Sequence, residues 1–390
     1  MLAGFCAFLN LFVTQPIEPY LEGVFHASKA HVSMTVTAST LGVALAAPLA
    51  GVIADRLGRK RVIVWSAGLL GLTTLLSASA AGLNWLIFWR FLQGLVTPGV
   101  FGVTVAYVND EWPPHRAGAG AGYYLSGTIT GGVIGRLSAG FIAQYFGWQW
   151  IFIAVGTLIL LISALIQRTL PAERVFRPGI STRNTAGETG PGILQAGITH
   201  LINGRLFATF VVGFCVLSTM LDLFTYAAFH LAAPPYSLQP GALGLIFIVY
   251  LVGGIISPTA GKAIDRYGQR PVVVASATLT ILGALITLLP SIWAVVAGLT
   301  LASSGLFISQ SSGLSHVGVA ARSHRALAVG IYVSFYYIGG SVGSTGPSWL
   351  WDGWRWPGCV AAAIAIQVVL ALTVWFGWKA RETSNTPAIT

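Results

Sequence analysis

Apolar residues run in stretches of about twenty along the whole chain, and the charges collect in the short intervals between them. Twelve such runs can be placed, at residues 2–22, 33–54, 62–82, 85–108, 119–144, 150–168, 206–231, 241–264, 272–291, 293–315, 327–349 and 358–378. About twenty residues of helix cross the hydrocarbon core of a bilayer. The runs are continuous and do not alternate, so each reads as a helix and not as a barrel strand. The pattern predicts an all-α membrane protein of twelve transmembrane helices.

Composition sharpens this. Charged residues make up 8% of the chain, hydrophobic residues 55%, and the mean hydropathy is +0.76. A water-soluble fold carries about 25% charged residues, and this chain could not cover such a surface. The net charge of +10 does not mark a nucleic-acid binder, because the basic residues sit in separate loops and form no continuous face. Cys6, Cys215 and Cys359 lie in apolar runs without metal-ligand spacing, and are expected to pack as small hydrophobes. The opening residues, MLAGFCAFLN, lack a basic leader and a cleavage site, so they read as a retained span.

The basic residues also set an orientation. With both termini inside, Lys29 and Arg355 are the only ones of the 21 Lys and Arg on the outside, Arg90 and Arg136 fall within spans, and the rest are cytoplasmic. The longest polar interval is rich in Gly, Pro, Ser and Thr. It divides the chain into an N-terminal bundle at 1–168, a cytoplasmic linker at 169–205 and a C-terminal bundle with a short tail at 206–390. A short surface helix is expected near residues 193–202.

The two bundles repeat each other. GVIADRLGRKR, from Gly51, is echoed by GKAIDRYGQRP, so that Asp55, Arg56 and Gly58 match Asp265, Arg266 and Gly268 at an offset of 210. HRAGAGAGYY, from His115, is echoed by HRALAVGIYV at an offset of 209. Parallel duplication of six helices is a transporter architecture in which two bundles rock about a central site.

These residues resemble the major facilitator superfamily over essentially the whole chain. The first motif has the form of its signature between the second and third helices, and the second is the weaker copy between the eighth and ninth. RFLQG, from Arg90 to Gly94, resembles a fourth-helix motif of the bacterial proton antiporter (efflux) branch. GGVIGRLSAG, Gly131 to Gly140, is similar to the glycine-rich fifth helix of efflux members, although the Gly-Pro pair common in the antiporter version of that helix is missing and a related pair, Gly346-Pro347, lies on helix eleven instead. The resemblance implies the major facilitator fold, a bacterial inner membrane location and a proton-coupled role for Arg90.

The signature also has a mechanical reading. Gly51 lets helix two approach a neighbour, and Asp55 can meet a facing helix N-terminus. Arg59 and Arg116 can pair with Asp55. Arg56 and its basic neighbours face lipid headgroups. A cytoplasmic latch therefore groups Gly51, Asp55, Arg56, Gly58, Arg59 and Arg116 with Asp265, Arg266 and Gly268. The blander reading is that the basic residues only set topology.

Charges that the repeat does not share are better candidates for cargo. Glu18, Arg90, Arg136 and Asp222 lie inside spans, and none has a charged counterpart in the other half. An ionisable group there is costly unless paired or hydrated. Asp222 and Glu18 are proton-coupling candidates, with a structural hydrogen bond or a hydrated lip as the alternatives. Glu18 lies between Pro16 and Pro19, which free nearby carbonyls, at a depth similar to Arg90. A Glu18–Arg90 pair that opens on protonation is the sharpest expectation. Arg136 could hold an anionic substrate or brace backbone carbonyls. Gln15 and the aromatics Phe224, Tyr226, Tyr336 and Tyr337 complete the candidate substrate site.

No nucleotide-binding loop, cofactor motif, metal-ligand cluster or nucleophile–base set is visible, which points to a transporter and not an enzyme. A single chain supplies both bundles, so the expected working unit is a monomer in the lipid bilayer, with protons and a small molecule as partners. The leading expectation is proton-coupled export of a small amphipathic compound. The alternatives are a proton symporter for an organic anion and a non-transporting membrane sensor.

Overall fold

The fold was determined as a computed structural model. It describes residues 1–111, 117–171, 173, 193–321 and 325–378. Arg116, most of the 169–205 linker and the tail after Trp378 lie outside the described residues.

The described chain is helical, with no strand among the described residues. The first predicted span is broken into α1 (Leu2–Leu11), a 3₁₀ turn (Gln15–Ile17) and α2 (Glu18–Phe25). Pro16 and Pro19 explain the break, because neither supplies an N–H to the helical ladder. The rest of the N-terminal half is α3 (Lys29–Leu57), α4 (Arg59–Ser77), α5 (Leu83–Glu111), α6 (Ala117–Phe146) and α7 (Trp148–Thr169). The expected surface helix is α8 (Ile193–Ile202), which precedes α9 (Gly204–Ala232). The eighth predicted span is also broken, into α10 (Pro240–Leu245), a 3₁₀ turn and α11 (Val249–Tyr267). Next come α12 (Gln269–Ile286), α13 (Ile292–Ala320), α14 (Arg325–Thr345) and α15 (Ser348–Gly377).

Each of the twelve predicted runs is thus occupied by helix, and most helices outrun them by several residues. The clearest departure is α15, which starts ten residues before its run and kinks at Arg355 (φ 53°), two residues ahead of Pro357. Among the described residues, eight helices are individually long and apolar enough to cross a membrane, or nine if the bent pair Pro240–Ile256 and Gly261–Tyr267 counts as one span.

Gly58 and Gly268 each close one helix and open the next, with φ of 94° and 82°. Only glycine adopts such angles at no steric cost, so the duplicated signature encodes the same tight turn twice. Helices approach closely where small residues meet. A Cβ on Gly94 would stand 2.1 Å from the Ser39 carbonyl oxygen in the α3–α5 crossing, and one on Gly343 would stand 2.0 Å from that of Ser218 in the α9–α14 crossing. One buried apolar core fills the N-terminal half. A second fills the C-terminal half and takes in Leu11, Phe12, Val36 and Val43 from the first. Large apolar side chains such as Trp65, Leu161 and Trp293 stand exposed on the outside, where a bilayer would cover them.

The described parts of the halves meet where α3 faces α14 and where α6 faces α10. Between α3 and α14 the seam is polar. Thr37 Oγ1 donates to the Ser341 carbonyl (3.2 Å) and lies 2.6 Å from the Thr345 hydroxyl, while Thr40 and Ser341 hydroxyls stand 2.8 Å apart. Ser344 Oγ donates to the Ser33 carbonyl (3.2 Å), and Ser334 Oγ to the Ala44 carbonyl (2.8 Å). Between α6 and α10 the backbone itself is in contact: Gly241 N–H donates to Gln144 Oε1 (3.0 Å), and Gly140 packs on the Pro240 carbonyl. The α3–α14 contact runs from Ser33 and Ser344 to Pro48 and Gly330, beyond which the charged turns begin. Gly51 and Gly261 are exposed and have no neighbouring atom within 4 Å of where a Cβ would lie.

Candidate functional site

The break in the first span organises the polar interior. With α1 ending at Leu11, Gln15 N–H turns to the Phe12 carbonyl, and the Leu11 carbonyl loses its helical donor. Arg90, fully buried on α5, fills that place. Its Nη2 donates to the Leu11 carbonyl and its Nη1 to the Asn10 carbonyl (3.0 Å), to Asn10 Oδ1 (3.3 Å) and to Gln93 Oε1 (2.6 Å). Its Nε donates to the Thr35 carbonyl on α3 (3.3 Å). A cation at a helix C-terminus is favourable on its own account. Gln93 passes the network to Ser77 Oγ (2.7 Å) and the Thr73 carbonyl (3.2 Å).

Glu18, the first residue of α2, is also fully buried. Its Oε2 accepts from Ser33 Oγ at 2.9 Å, and its Oε1 has no hydrogen-bond partner. Glu18 is an electrostatic neighbour of Arg90, but the expected ion pair is not formed. The guanidinium is taken up by carbonyls instead. Glu22, one turn on, pairs with Lys29 at 2.5 Å on the part-exposed rim. Lys29 Nζ also lies 5.3 Å from the Phe229 ring centroid and 5.9 Å from that of Trp351, and so reaches across to the other half.

Asp222 on α9 is fully buried, with neither carboxylate oxygen hydrogen-bonded. Tyr226 and Cys359 are its electrostatic neighbours. Gln367 on α15 donates to Thr219 Oγ1 (2.9 Å), one turn before Asp222, and leaves its own Oε1 unpartnered.

Arg136 on α6 is buried at the seam. Its Nε donates to Gln15 Oε1 (3.0 Å) and its Nη1 to the Gly132 carbonyl (2.8 Å). Gln15 in turn donates to Thr225 Oγ1 of the C-terminal half (3.2 Å). The guanidinium carbon lies 4.7, 5.0 and 5.1 Å from the ring centroids of Phe12, Phe247 and Tyr250. Phe224 backs this box, 4.4 Å from Tyr250 and 5.7 Å from Phe247 between centroids. Tyr226, two residues on, faces away: it packs on Trp351 and donates to the Ser344 carbonyl (3.1 Å). Tyr336 and Tyr337 meet edge to face at 5.3 Å, and Tyr337 reaches Phe101 of the other half at 6.2 Å.

Of the charged-turn residues, Arg59 pairs with Asp110 on α5 and donates to the Ala106 carbonyl (2.7 Å). Among the described residues Asp55 makes no ion pair. Among the described residues none comes within 4 Å of where a Gly51 Cβ would lie, so the close approach expected there is not seen. Asp265 and Gly268 are exposed too, and Arg266 lies over the Tyr267 ring at 5.2 Å. At the start of the linker, Glu173 Oε1 accepts from Lys60 N–H (2.6 Å), capping α4, and Lys60 Nζ reaches the Leu170 carbonyl.

Sequence reading missed Asn10, Gln93 and Gln367, whose signal was available as polar residues inside apolar runs. It also missed Ser33, Phe12, Phe247 and Tyr250, which local sequence does not single out. The assembled site contains two buried acids, Glu18 and Asp222, and two buried arginines, with no ion pair between them: Arg90 is held by backbone carbonyls, and Arg136 by Gln15, the Gly132 carbonyl and three rings. An ionisable residue inside a membrane span is a candidate for a substrate or proton pathway.

The comparisons agree with this architecture. The profile of the Major Facilitator Superfamily matches residues 1–249 and 217–389. The chain is 31% identical to the MFS-type transporter YybF of Bacillus subtilis (strain 168), covering 97% of this chain and 92% of that protein. It is 32% identical to the inner membrane transport protein YnfM of Escherichia coli (strain K12), covering 95% and 87%. Among solved structures, a bacterial homolog of the human lysosomal transporter Spinster, in an inward-facing and unoccupied conformation, superposes with a TM-score of 0.71 at 15% identity, over 96% of this chain and 92% of that one. Duplicated halves, a polar seam between them and whole-length matches lead to one assignment: the chain belongs to the Major Facilitator Superfamily.

Proposed function

We propose that this chain is a proton-coupled secondary transporter that exports a small amphipathic organic compound across the bacterial inner membrane by alternating access. Both termini are cytoplasmic in this reading, and the conformation is the one open to the cytoplasm. The observation that carries the reading is Glu18. It is buried and unpaired by any cation, and one residue, Ser33, joins it to the closed seam, since Ser33 Oγ donates to Glu18 and the Ser33 carbonyl accepts from Ser344 across the halves. Asp222 is a second unpaired acid in the other half. With the seam intact, an ionised Glu18 would be cut off from water, so ionisation favours the conformation that hydrates it. Proton release therefore opens the outer seam, and proton uptake closes it. The groups around Glu18 are Ser33 on α3, Arg90 on α5 and Tyr226 on α9. Arg90 holds the floor of this site, and the Asp55–Arg59 turn is a cytoplasmic latch in its released position.

The test needs no knowledge of the cargo. In a background with Cys6, Cys215 and Cys359 replaced, Thr40→Cys places one thiol in the seam. The thiolate is the reactive species, so each maleimide rate is divided by that of an exposed control, Ser79→Cys, at the same pH. The normalised labelling is expected to be faster at pH 8.5 than at pH 5.5, and Glu18→Gln should flatten that dependence. A normalised rate independent of pH in the parent, or the same normalised pH dependence in the Gln variant and in Asp222→Asn, would remove these acids from the mechanism.

A further inference from the structure

A guanidinium has five N–H donors, and Arg136 uses two of them. No carboxylate lies within ion-pair distance of it. Three aromatic rings surround it, and cation–π contact lowers the energy of a buried cation without cancelling its charge. One of those rings, Tyr250, carries a buried hydroxyl with no hydrogen-bond partner. An unmatched cation and an unmatched hydroxyl are therefore neighbours, with the guanidinium carbon 5.1 Å from the Tyr250 ring centroid. The walls come from both halves: Phe12, Gln15 and Arg136 from one, Phe247 and Tyr250 from the other. A ligand held there feels the seam open.

We propose that Arg136 and Tyr250 bind the carboxylate of a flat aromatic monoanion, and that this anion is the transported compound. The proposal rests on the transporter reading and specifies its cargo. A carboxylate matches the fork of unused guanidinium donors and can also accept from the Tyr250 hydroxyl. One charge is favoured over two because no second free cation is at hand: Arg90, the other buried arginine, is committed to the carbonyls of Asn10, Leu11 and Thr35. A flat aromatic body is favoured because rings continue from the box. Tyr250 contacts Phe307 at 5.8 Å, and Tyr336, an electrostatic neighbour of Arg136, leads to Tyr337 and Phe101. A cationic amphiphile would meet Arg136 as a like charge.

Isothermal titration calorimetry on the purified full chain tests this, with salicylate as the anion, salicylamide as its neutral analogue and ethidium as the cation. Salicylate should bind, with salicylamide weaker by at least about tenfold, and ethidium should not compete with it. Arg136→Gln should weaken salicylate by about 10–100-fold, the range expected for hydrogen bonds to a charged group, and Arg136→Lys by less. Tyr250→Phe removes only the hydroxyl, so it is the variant least able to disturb the fold, and should weaken binding about threefold to tenfold. Melting temperatures of all variants are taken alongside. No binding of salicylate, equal binding of salicylamide, stronger binding of ethidium, or full affinity in a stably folded Arg136→Gln would each overturn the proposal. None of those results touches the pH-dependent labelling of Thr40→Cys, so the cargo assignment can fail while proton coupling stands.

Discussion

Adding one methyl group to Gly140 should push the protein out of the conformation described above. A Cβ at Gly140 would stand 2.4 Å from the Pro240 carbonyl oxygen and 3.1 Å from its carbon. Real Cβ contacts do not fall below 3.0 Å, so α6 and α10 must part by about 0.6 Å at that point. No side chain can swing aside, since the opposing atoms are backbone. The neighbouring crossing is equally tight, because Gly244 has 2.9 Å of room against the Arg136 carbonyl. Overpacking of this kind costs about 1–3 kcal/mol. The penalty applies only while the seam is shut, so Gly140→Ala should shift the equilibrium toward the seam-open state by about 5–150-fold. The assay is again maleimide labelling of Thr40→Cys, with Gly122→Ala as a control on the same helix, since nothing lies within 4 Å of a Cβ there. Faster labelling in the first variant alone is the expected result. Unchanged labelling in a protein that melts normally, or an equal rise in the control, would show that this backbone contact is not part of the gate.

Two further outcomes follow from the hydrogen bonds. Arg90→Ala strands the Leu11 carbonyl and strips donors from Asn10, Gln93 and Thr35, at about 1–3 kcal/mol for each group left unmatched. The melting temperature should fall sharply and recover in part in Arg90→Lys, and an Arg90→Ala protein that melts like the parent would refute the capping role. Thr37→Val removes the contacts to the Ser341 carbonyl and the Thr345 hydroxyl, each worth about 0.6 kcal/mol inside a membrane protein. Labelling at Thr40→Cys should then rise a few-fold, and no rise would mean that this polar seam does not hold the halves together.

The fold was legible because its signals are local. A run of apolar residues is a span wherever it packs, and Gly58 and Gly268 announce their turns by identity and spacing. Rotation about each helix axis was not legible. In a membrane the lipid-facing and core-facing sides are both apolar, so periodicity does not tell them apart. Phe224 and Tyr226 show the consequence: both were grouped by depth, yet one lies behind the Arg136 box and the other against Trp351. Glu18 and Arg90 show it again. They are electrostatic neighbours, but the partner of Arg90 is the free carbonyl of a broken helix, and sequence does not say which distant side chain will fill such a gap.

The separation of the buried charges is itself an argument for exchange. If Glu18 paired with Arg90, or if Arg136 paired with either acid, the interior would be neutral without any passenger, and the halves could rock empty at little cost. Instead the donors of Arg90 are taken by the end of helix α1, and neither it nor Arg136 forms an ion pair with Glu18 or Asp222. On the proposed reading, the groups left without a direct partner are satisfied by something that enters from solution: a proton at Glu18 or Asp222, an anion at Arg136. Closing the outer seam over an uncompensated charge is unfavourable in a low-dielectric interior. Passage between the two conformations is therefore tied to occupancy, and coupling needs no dedicated switch beyond the decision not to pair the charges with each other.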